Sequence, residues 1–188
     1  GYSGLSFGIN LSLMSYDVVN GAAESLDLSG LSRTILFDAS YPLIRSRINN
    51  LNLTSSLDIK QLVNRSSFGN ESDYKIKTFN ICANYQDLTD WLMGGEFYGT
   101  INYGLGDNDY SDSPATFRDS KENENTDGSY SVISGAMNFT QFIDDKNSIT
   151  FEFSGQYGNK NLDSSQKFFL GGERTVRAYP TSEAGGTH

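Results

Sequence analysis

The sequence predicts an all-β protein that forms part of a transmembrane antiparallel β-barrel, and three observations lead to this fold class. Apolar and polar residues alternate with a period of two along seven segments. Aromatic residues make up 13% of the chain, beside 19 glycines, a composition typical of strands and turns. Connections between the segments alternate between short and long, and outer-membrane barrels have short turns at one end and long loops at the other.

The seven predicted strands cover residues 2–16, 31–42, 48–64, 74–87, 91–105, 129–143 and 147–159. The apolar rows of the first three are Leu5, Phe7, Ile9, Leu11, Leu13; Ile35, Phe37, Ala39, Tyr41; and Leu51, Leu53, Leu57, Ile59, Val63. Those of the fourth and fifth are Phe79, Ile81, Ala83, Tyr85; and Met93, Phe97, Ile101, Tyr103, Leu105. Those of the last two are Ile133, Met137, Phe139, Ile143; and Ile149, Phe151, Phe153, Tyr157.

The intervening rows are polar and carry charges, so they cannot form the core of a soluble sandwich. Charged groups buried without partners are too costly for a dry interior. A water-filled lumen accepts them, and we therefore expect the apolar rows to face lipid and the polar rows to face water. The charged residues predicted to face the lumen are Asp58, Lys60, Glu96 and Glu152.

The connections indicate which end of the barrel is which. Residues 43–47, 88–90 and 144–146 are short connections and are assigned to the periplasmic side. Residues 17–30, 65–73 and 106–128 are long and polar, and residues 160–188 are expected to begin another extracellular-side loop. Seven strands cannot close, because single-chain bacterial barrels have an even number of at least eight. Further strands are therefore expected outside residues 1–188, which we assign to one incomplete barrel domain.

The composition excludes several other classes of function. A net charge of −9 argues against non-specific binding to nucleic acid. One Cys and one His argue against a disulfide framework and a zinc site. No apolar run approaches the length of a transmembrane helix. Without a nucleophile elbow or a phosphate loop, we expect neither a cofactor nor an enzymatic activity.

Two stretches of the sequence resemble one family. The first is Tyr41-Pro42-Leu43-Ile44-Arg45-Ser46-Arg47. The second runs from Gly155 through Phe168-Phe169-Leu170-Gly171-Gly172 to Val176-Arg177-Ala178-Tyr179-Pro180. Together they resemble the outer-membrane transporters of two-partner secretion, of the haemolysin secretion/activation and filamentous-haemagglutinin transporter type.

This resemblance implies a sixteen-stranded barrel in the bacterial outer membrane, preceded by two periplasmic polypeptide-transport-associated (POTRA) domains. The chain would supply about the fifth to the eleventh strand and would end in the loop that follows. The implied activity is export of a large partner exoprotein, such as a haemolysin or an adhesin, without ATP. The implied partners are the exoprotein, the outer-membrane lipid, and the POTRA domains and remaining strands of the same chain.

The resemblance also implies that the loop after the last strand folds back into the barrel. Val176, Arg177 and Tyr179 match the tip motif of this loop, and Ala178 stands where glycine is usual. An arginine suits the tip because its guanidinium stays charged and can form a bidentate pair with a carboxylate. Gly171 and Gly172 would allow the chain to reverse before the tip.

Arg45 and Arg47 fall in the first periplasmic turn, where two interpretations stay open. They are either ordinary solvated turn residues or a contact surface for the POTRA domains. Charge reversal at both, followed by a secretion assay, distinguishes the two.

Two other functions compete with secretion. One is an outer-membrane protein assembly factor of the same superfamily, which would carry more POTRA domains. The other is a soluble β-sandwich adhesin or carbohydrate-binding module, which would fold in water without detergent.

Overall fold

The computed structural model describes residues 4–19, 27–88, 94–170 and 184–185. The main strands are β1 (Ser6–Asp17), β2 (Ser29–Arg45), β3 (Asn49–Ser66), β4 (Gly69–Asp87), β5 (Gly95–Asp109), β6 (Gly128–Phe142) and β7 (Ser148–Gly158). They form one sheet in chain order, and each strand is antiparallel to the next. The prediction of an all-β antiparallel fold with seven strands is confirmed.

Three shorter elements complete the chain. One helix, α1 (Ala115–Asn123), lies in the connection between β5 and β6. Two short strands, β8 (Phe169–Leu170) and β9 (Ala184–Gly185), pair with each other after β7. Among the described residues, no helix has both the length and the apolar character needed to cross a bilayer.

The pairing register divides the sheet into two continuous faces. In all six strand pairs, even-numbered residues lie opposite even-numbered residues, except at the irregularities between Pro42 and Ile44 and between Asn64 and Arg65. Because successive side chains of a strand point to opposite faces, all even-numbered positions share one face. We call this the polar face, and the face of the odd-numbered positions the apolar face.

The apolar face presents a broad hydrophobic surface in the middle of the sheet. One row of directly opposed residues crosses five strands and consists of Ile9, Phe37, Leu57, Phe79 and Leu105. This face is open: Ile9 is 70% exposed, Ile101 62% and Phe153 65%. A soluble domain rarely leaves so large an apolar surface uncovered. Among the described residues, no second sheet covers these side chains, as a soluble β-sandwich would require.

Nearly all of the small buried core lies on the polar face, toward the end where β5 leads into α1. One cluster contains Tyr74, Ile76 and Tyr110, with Leu62 and Phe117 packed against it. The other contains Tyr130, Val132 and Leu162. The connection containing α1 and the segment after β7 thus cover this end of the polar face.

The predicted long loop at residues 65–73 is wrong. β3 and β4 continue to a tight turn at residues 67–68, and Ser66 pairs directly with Gly69. Gly69 has φ +119°, a conformation that side-chain-bearing residues rarely adopt. Both rows are polar in this stretch, so no alternation marked the strands there.

The other long connections also differ from prediction. β5 continues to Asp109, and residues 106–128 contain α1 instead of forming one solvated polar loop. Residues 20–26 of the connection 17–30 and residues 91–93 of the predicted fifth strand lie outside the described residues. At the opposite end of the sheet the connections are β2–β3 at 46–48 and β6–β7 at 143–147.

Candidate functional site

The polar face is lined by amide, hydroxyl and carboxylate side chains. One row of opposed residues consists of Asn50, Gln86, Tyr98, Asn138 and Glu152. Nδ2 of Asn50 donates to Oε1 of Gln86 at 3.5 Å, and Nε2 of Gln86 donates to the Tyr98 hydroxyl at 3.3 Å. Nδ2 of Asn138 donates to Oε1 of Glu152 at 2.9 Å. This surface therefore offers many hydrogen-bond donors and acceptors along one row of the sheet.

The four charged residues predicted to face the lumen all lie on the polar face. Asp58 and Lys60 are neighbours on β3, with Nζ of Lys60 3.9 Å from Oδ2 of Asp58. Oδ1 of Asp58 is buried and makes no hydrogen bond in the structure. Glu96 lies opposite Thr140, and Glu152 lies opposite Asn138. The charges are therefore spread over the face and do not form a paired-carboxylate site.

A cavity of about 660 Å³ lies over the part of the sheet farther from α1. Its wall includes Asn52, Asn84, Thr100 and Glu152 of the strands, together with Phe168 from the segment after β7. Phe168 is held there because its backbone N–H donates to Oε1 of Gln156 at 2.8 Å. Nε2 of Gln156 in turn donates to the carbonyl of Gln166 at 3.0 Å. The chain leaving β7 therefore turns back over the polar face.

The connection between β5 and β6 covers the α1 end of the polar face, and we call residues 110–127 the cover. Tyr110 begins it and is 2% exposed, with its ring centroid 5.0 Å from that of Tyr74. Phe117 of α1 stacks on Tyr74 at a centroid distance of 5.8 Å. Oγ of Ser113 donates to the Asp73 carbonyl at 2.7 Å and fixes the cover to β4. Burial of an aromatic cluster and these hydrogen bonds hold the cover in place.

The segment after β7 is tied to the cover by side chains, and we call residues 159–163 the loop base. The Tyr110 hydroxyl donates to Oδ2 of Asp163 at 3.1 Å. Burial raises the pKa of Tyr110 above its ordinary value, so this hydroxyl keeps its proton and acts as the donor. Nδ2 of Asn161 donates to the Glu124 carbonyl at 3.1 Å, and Nζ of Lys160 donates to the Asp127 carbonyl.

The residues predicted for the periplasmic turn are both exposed. Arg45 is not in the turn, because it is the last residue of β2 and pairs with Asn50. The strand extends past Pro42 through a bulge, because Leu43 is an extra residue between the pairs Pro42–Asn52 and Ile44–Leu51. Arg47 lies in the turn at residues 46–48, which Ser46 closes by accepting and donating hydrogen bonds with Asn49.

The predicted loop motif falls outside the described residues: Gly171, Gly172, Val176, Arg177, Ala178 and Tyr179. What the structure shows is that β8 and β9 pair on either side of this segment. Leu170 therefore lies directly opposite Ala184.

The sequence analysis missed the cover and the loop base. A signal for them was present in the polar rows. At Tyr74, Ile76, Tyr130 and Val132, apolar residues occupy even positions, where the pattern calls for polar ones. Apolar side chains on the water-facing row indicate that something covers them.

Among the described residues, no group of three or more His, Cys, Asp or Glu side chains is arranged to hold a metal ion. Cys82 lies on the polar face with its Sγ 3.3 Å from Oγ1 of Thr100. Cys82 thus contacts its neighbour on the polar face in the same way as the small polar residues around it.

Comparison with known structures gives the same fold. CdiB from Acinetobacter baumannii matches with a TM-score of 0.64 and 17% identity, over 93% of this chain and 30% of that one. CdiB from Escherichia coli matches with a TM-score of 0.67 and 19% identity, over 93% of this chain and 32% of that one. The chain thus spans about a third of the length of these solved relatives. No curated protein matches its sequence.

The sequence model of one family matches almost the entire chain, residues 2–188, and that family is described as haemolysin secretion/activation protein ShlB/FhaC/HecB. The match confirms the resemblance drawn from the two sequence stretches. Proteins of this family are β-barrels of the bacterial outer membrane, in agreement with the predicted location. The chain therefore belongs to the ShlB/FhaC/HecB family of two-partner secretion transporters.

Proposed function

We propose that this chain supplies seven strands of a larger outer-membrane barrel that exports one large partner exoprotein, such as a haemolysin or an adhesin. Residues 1–188 form part of the barrel domain, and the apolar face contacts lipid. The polar face lines the aqueous passage, with Asp58, Lys60, Glu96 and Glu152 among its lining residues. Other strands and the POTRA domains belong to the same transporter.

The observation that carries this proposal is the division of one continuous sheet into two faces of opposite chemistry. Each main strand has at least 11 residues, as in β7, and reaches 19 in β4. About 9–11 residues suffice for a tilted strand to cross the hydrocarbon core. The uncovered apolar rows match lipid, and the polar rows with their scattered charges match water.

The passage suits an unfolded polypeptide better than a small substrate. Its wall consists mainly of neutral amides and hydroxyls with isolated charges, which form exchangeable hydrogen bonds with any polypeptide backbone. The sequence contains no phosphate-binding loop, so we propose that folding of the exoprotein outside the cell draws the chain through.

In this proposal the loop after β7 controls the passage. The loop base and Phe168 already lie over the polar face, and β8 and β9 close the loop that contains Arg177. Arg177 would hold the tip by pairing with a carboxylate elsewhere in the barrel.

A co-expression experiment tests the proposed function. The complete transporter is expressed with its candidate exoprotein in a bacterium that has no other two-partner transporter. We expect the exoprotein in the medium or on the cell surface, and retention in the periplasm without the transporter. An exoprotein that stays in the periplasm beside a correctly inserted transporter would contradict export. A general loss of other outer-membrane proteins on deletion would favour the assembly-factor alternative.

A further inference from the structure

We propose that Tyr110 and Asp163 form a latch that positions the base of the loop after β7, and that export depends on this latch. The inference rests on the proposed function, because the loop in question contains Arg177. It assigns a positioning role to residues that lie on two different connections, and neither residue belongs to the tip motif.

The first support is the environment of Asp163. Its side chain is 2% exposed, as is that of Tyr110. Oδ2 of Asp163 accepts from the Tyr110 hydroxyl, and Oδ1 accepts from the backbone N–H of Ser165 at 3.0 Å. The Tyr74 hydroxyl is a further hydrogen-bonding partner of this carboxylate, and all of these donors are neutral. A buried carboxylate held by neutral donors is a costly way to stabilise a fold, since an apolar residue usually serves as well or better.

The second support is that several separate hydrogen bonds attach the loop base, most of them to the cover. Asn161 and Lys160 donate to the carbonyls of Glu124 and Asp127, which both belong to the cover. Asn159 also exchanges two hydrogen bonds with Ser131 of β6, at 3.0 Å and 2.8 Å. The loop base is therefore attached along its length, and Tyr110–Asp163 is its most deeply buried attachment.

The third support is the packing between these bonds. Leu162 is buried against Tyr130 and Val132, on the same face of the sheet. A side chain at Gly158 would come within 3.3 Å of the Leu162 side chain, so the chain leaves β7 in close contact with its own loop base. If the Tyr110–Asp163 bond is lost, Leu162 keeps its apolar contact but the segment loses a fixed orientation.

The test replaces Tyr110 with phenylalanine in the complete transporter. Tyr110→Phe removes only the hydroxyl and keeps the ring that packs on Tyr74 and Phe117. Tyr103→Phe is the matched control, because Tyr103 lies on β5, the strand that leads into the cover, but on the apolar face, where it is 47% exposed. Hydrogen–deuterium exchange is followed in the peptide covering residues 159–168, and secretion is measured in parallel.

We expect Tyr110→Phe to accelerate exchange in residues 159–168 on the order of tenfold, the factor for losing one hydrogen bond to a charged group. Exchange in β6 and β7 stays as in the wild type, and secretion falls. Tyr103→Phe changes neither exchange in this peptide nor secretion. Unchanged exchange in Tyr110→Phe overturns the latch, and faster exchange with wild-type secretion overturns its role in export. Failure of the wild-type protein to export anything would contradict the proposed function instead, and the exchange result would still report on the contact itself.

Discussion

Replacing Ile101 with arginine is expected to destabilise the inserted barrel by about 2–4 kcal/mol, the cost of an arginine on the lipid face near the bilayer midplane. Ile101 lies on the apolar face in the middle of the apolar stretch of β5, between Ala83 and Gly135 on the neighbouring strands. It is 62% exposed, so the new side chain would meet lipid and not protein. The measurement is the free energy of unfolding of the complete transporter from lipid vesicles.

Asn102→Arg is the matched control for this substitution. Asn102 is the next residue of the same strand and lies on the polar face, where its Nδ2 donates to Oδ1 of Asn80 at 3.4 Å. An arginine there can extend into water, and we expect a change below about 1 kcal/mol. Equal destabilisation by the two variants would contradict the assignment of the two faces. Greater destabilisation by Asn102→Arg than by Ile101→Arg would mean that the polar face meets lipid and the apolar face meets water.

Replacing Arg177 with alanine is expected to reduce secretion by about tenfold or more while the barrel inserts normally. A hydrogen bond to a charged group contributes about 1.5–3 kcal/mol of free energy. Losing it would lower the fraction of transporters with a correctly placed loop by about tenfold or more. Insertion depends on the strands and their lipid face, so losing the tip contact leaves it intact. Secretion of the exoprotein and the heat-modifiable band of the folded barrel are measured together.

Arg174→Ala provides the control for Arg177→Ala, because Arg174 has the same side chain and lies three residues earlier in the same loop. We expect it to secrete at the wild-type level. Wild-type secretion from Arg177→Ala would remove the proposed role of the motif. An equal loss from both variants would mean that the net charge of the loop matters and not the specific arginine.

Where only one face of a strand meets lipid, the fold could be predicted from the sequence. In β7 and in β1 up to Leu13 the alternation is regular, and the predicted segments 2–16 and 147–159 differ from Ser6–Asp17 and Ser148–Gly158 by only a few residues. Lipid on one side and water on the other impose opposite preferences on neighbouring residues, and that contrast is readable from a single sequence.

The alternation disappears beyond the lipid, and prediction fails there. Arg65, Ser66, Asn70 and Glu71 belong to β3 and β4, yet both faces of the strands are polar there, so the sequence predicts a loop. No local pattern distinguishes a solvated strand from a solvated loop in such a stretch. These residues form strands because the pairing of β3 with β4 continues from the alternating part of the two strands to Ser66 and Gly69.

The latch could not be predicted, because its two residues lie on connections far apart in the sequence. Tyr110 and Asp163 each look like ordinary loop residues, and only the pairing of β5, β6 and β7 side by side brings the hydroxyl of Tyr110 within 3.1 Å of Oδ2 of Asp163. The composition of the polar face was predictable, since Asp58, Lys60, Glu96 and Glu152 occupy the expected rows. The hydrogen bonds between opposed residues such as Asn138 and Glu152 depend on register and were not predictable.

Spin labels at four consecutive positions of β4 test the central claim most directly. Phe79, Asn80, Ile81 and Cys82 are replaced one at a time by a labelled cysteine in the complete transporter, with Cys82→Ser as the background for the other three. Collision of the nitroxide with oxygen, which dissolves in lipid, is compared with collision with a water-soluble nickel chelate. We expect oxygen to dominate at positions 79 and 81, and the nickel chelate to dominate at positions 80 and 82. The reverse pattern, or no alternation along the four positions, would contradict the account that one face of this sheet meets lipid and the other meets water.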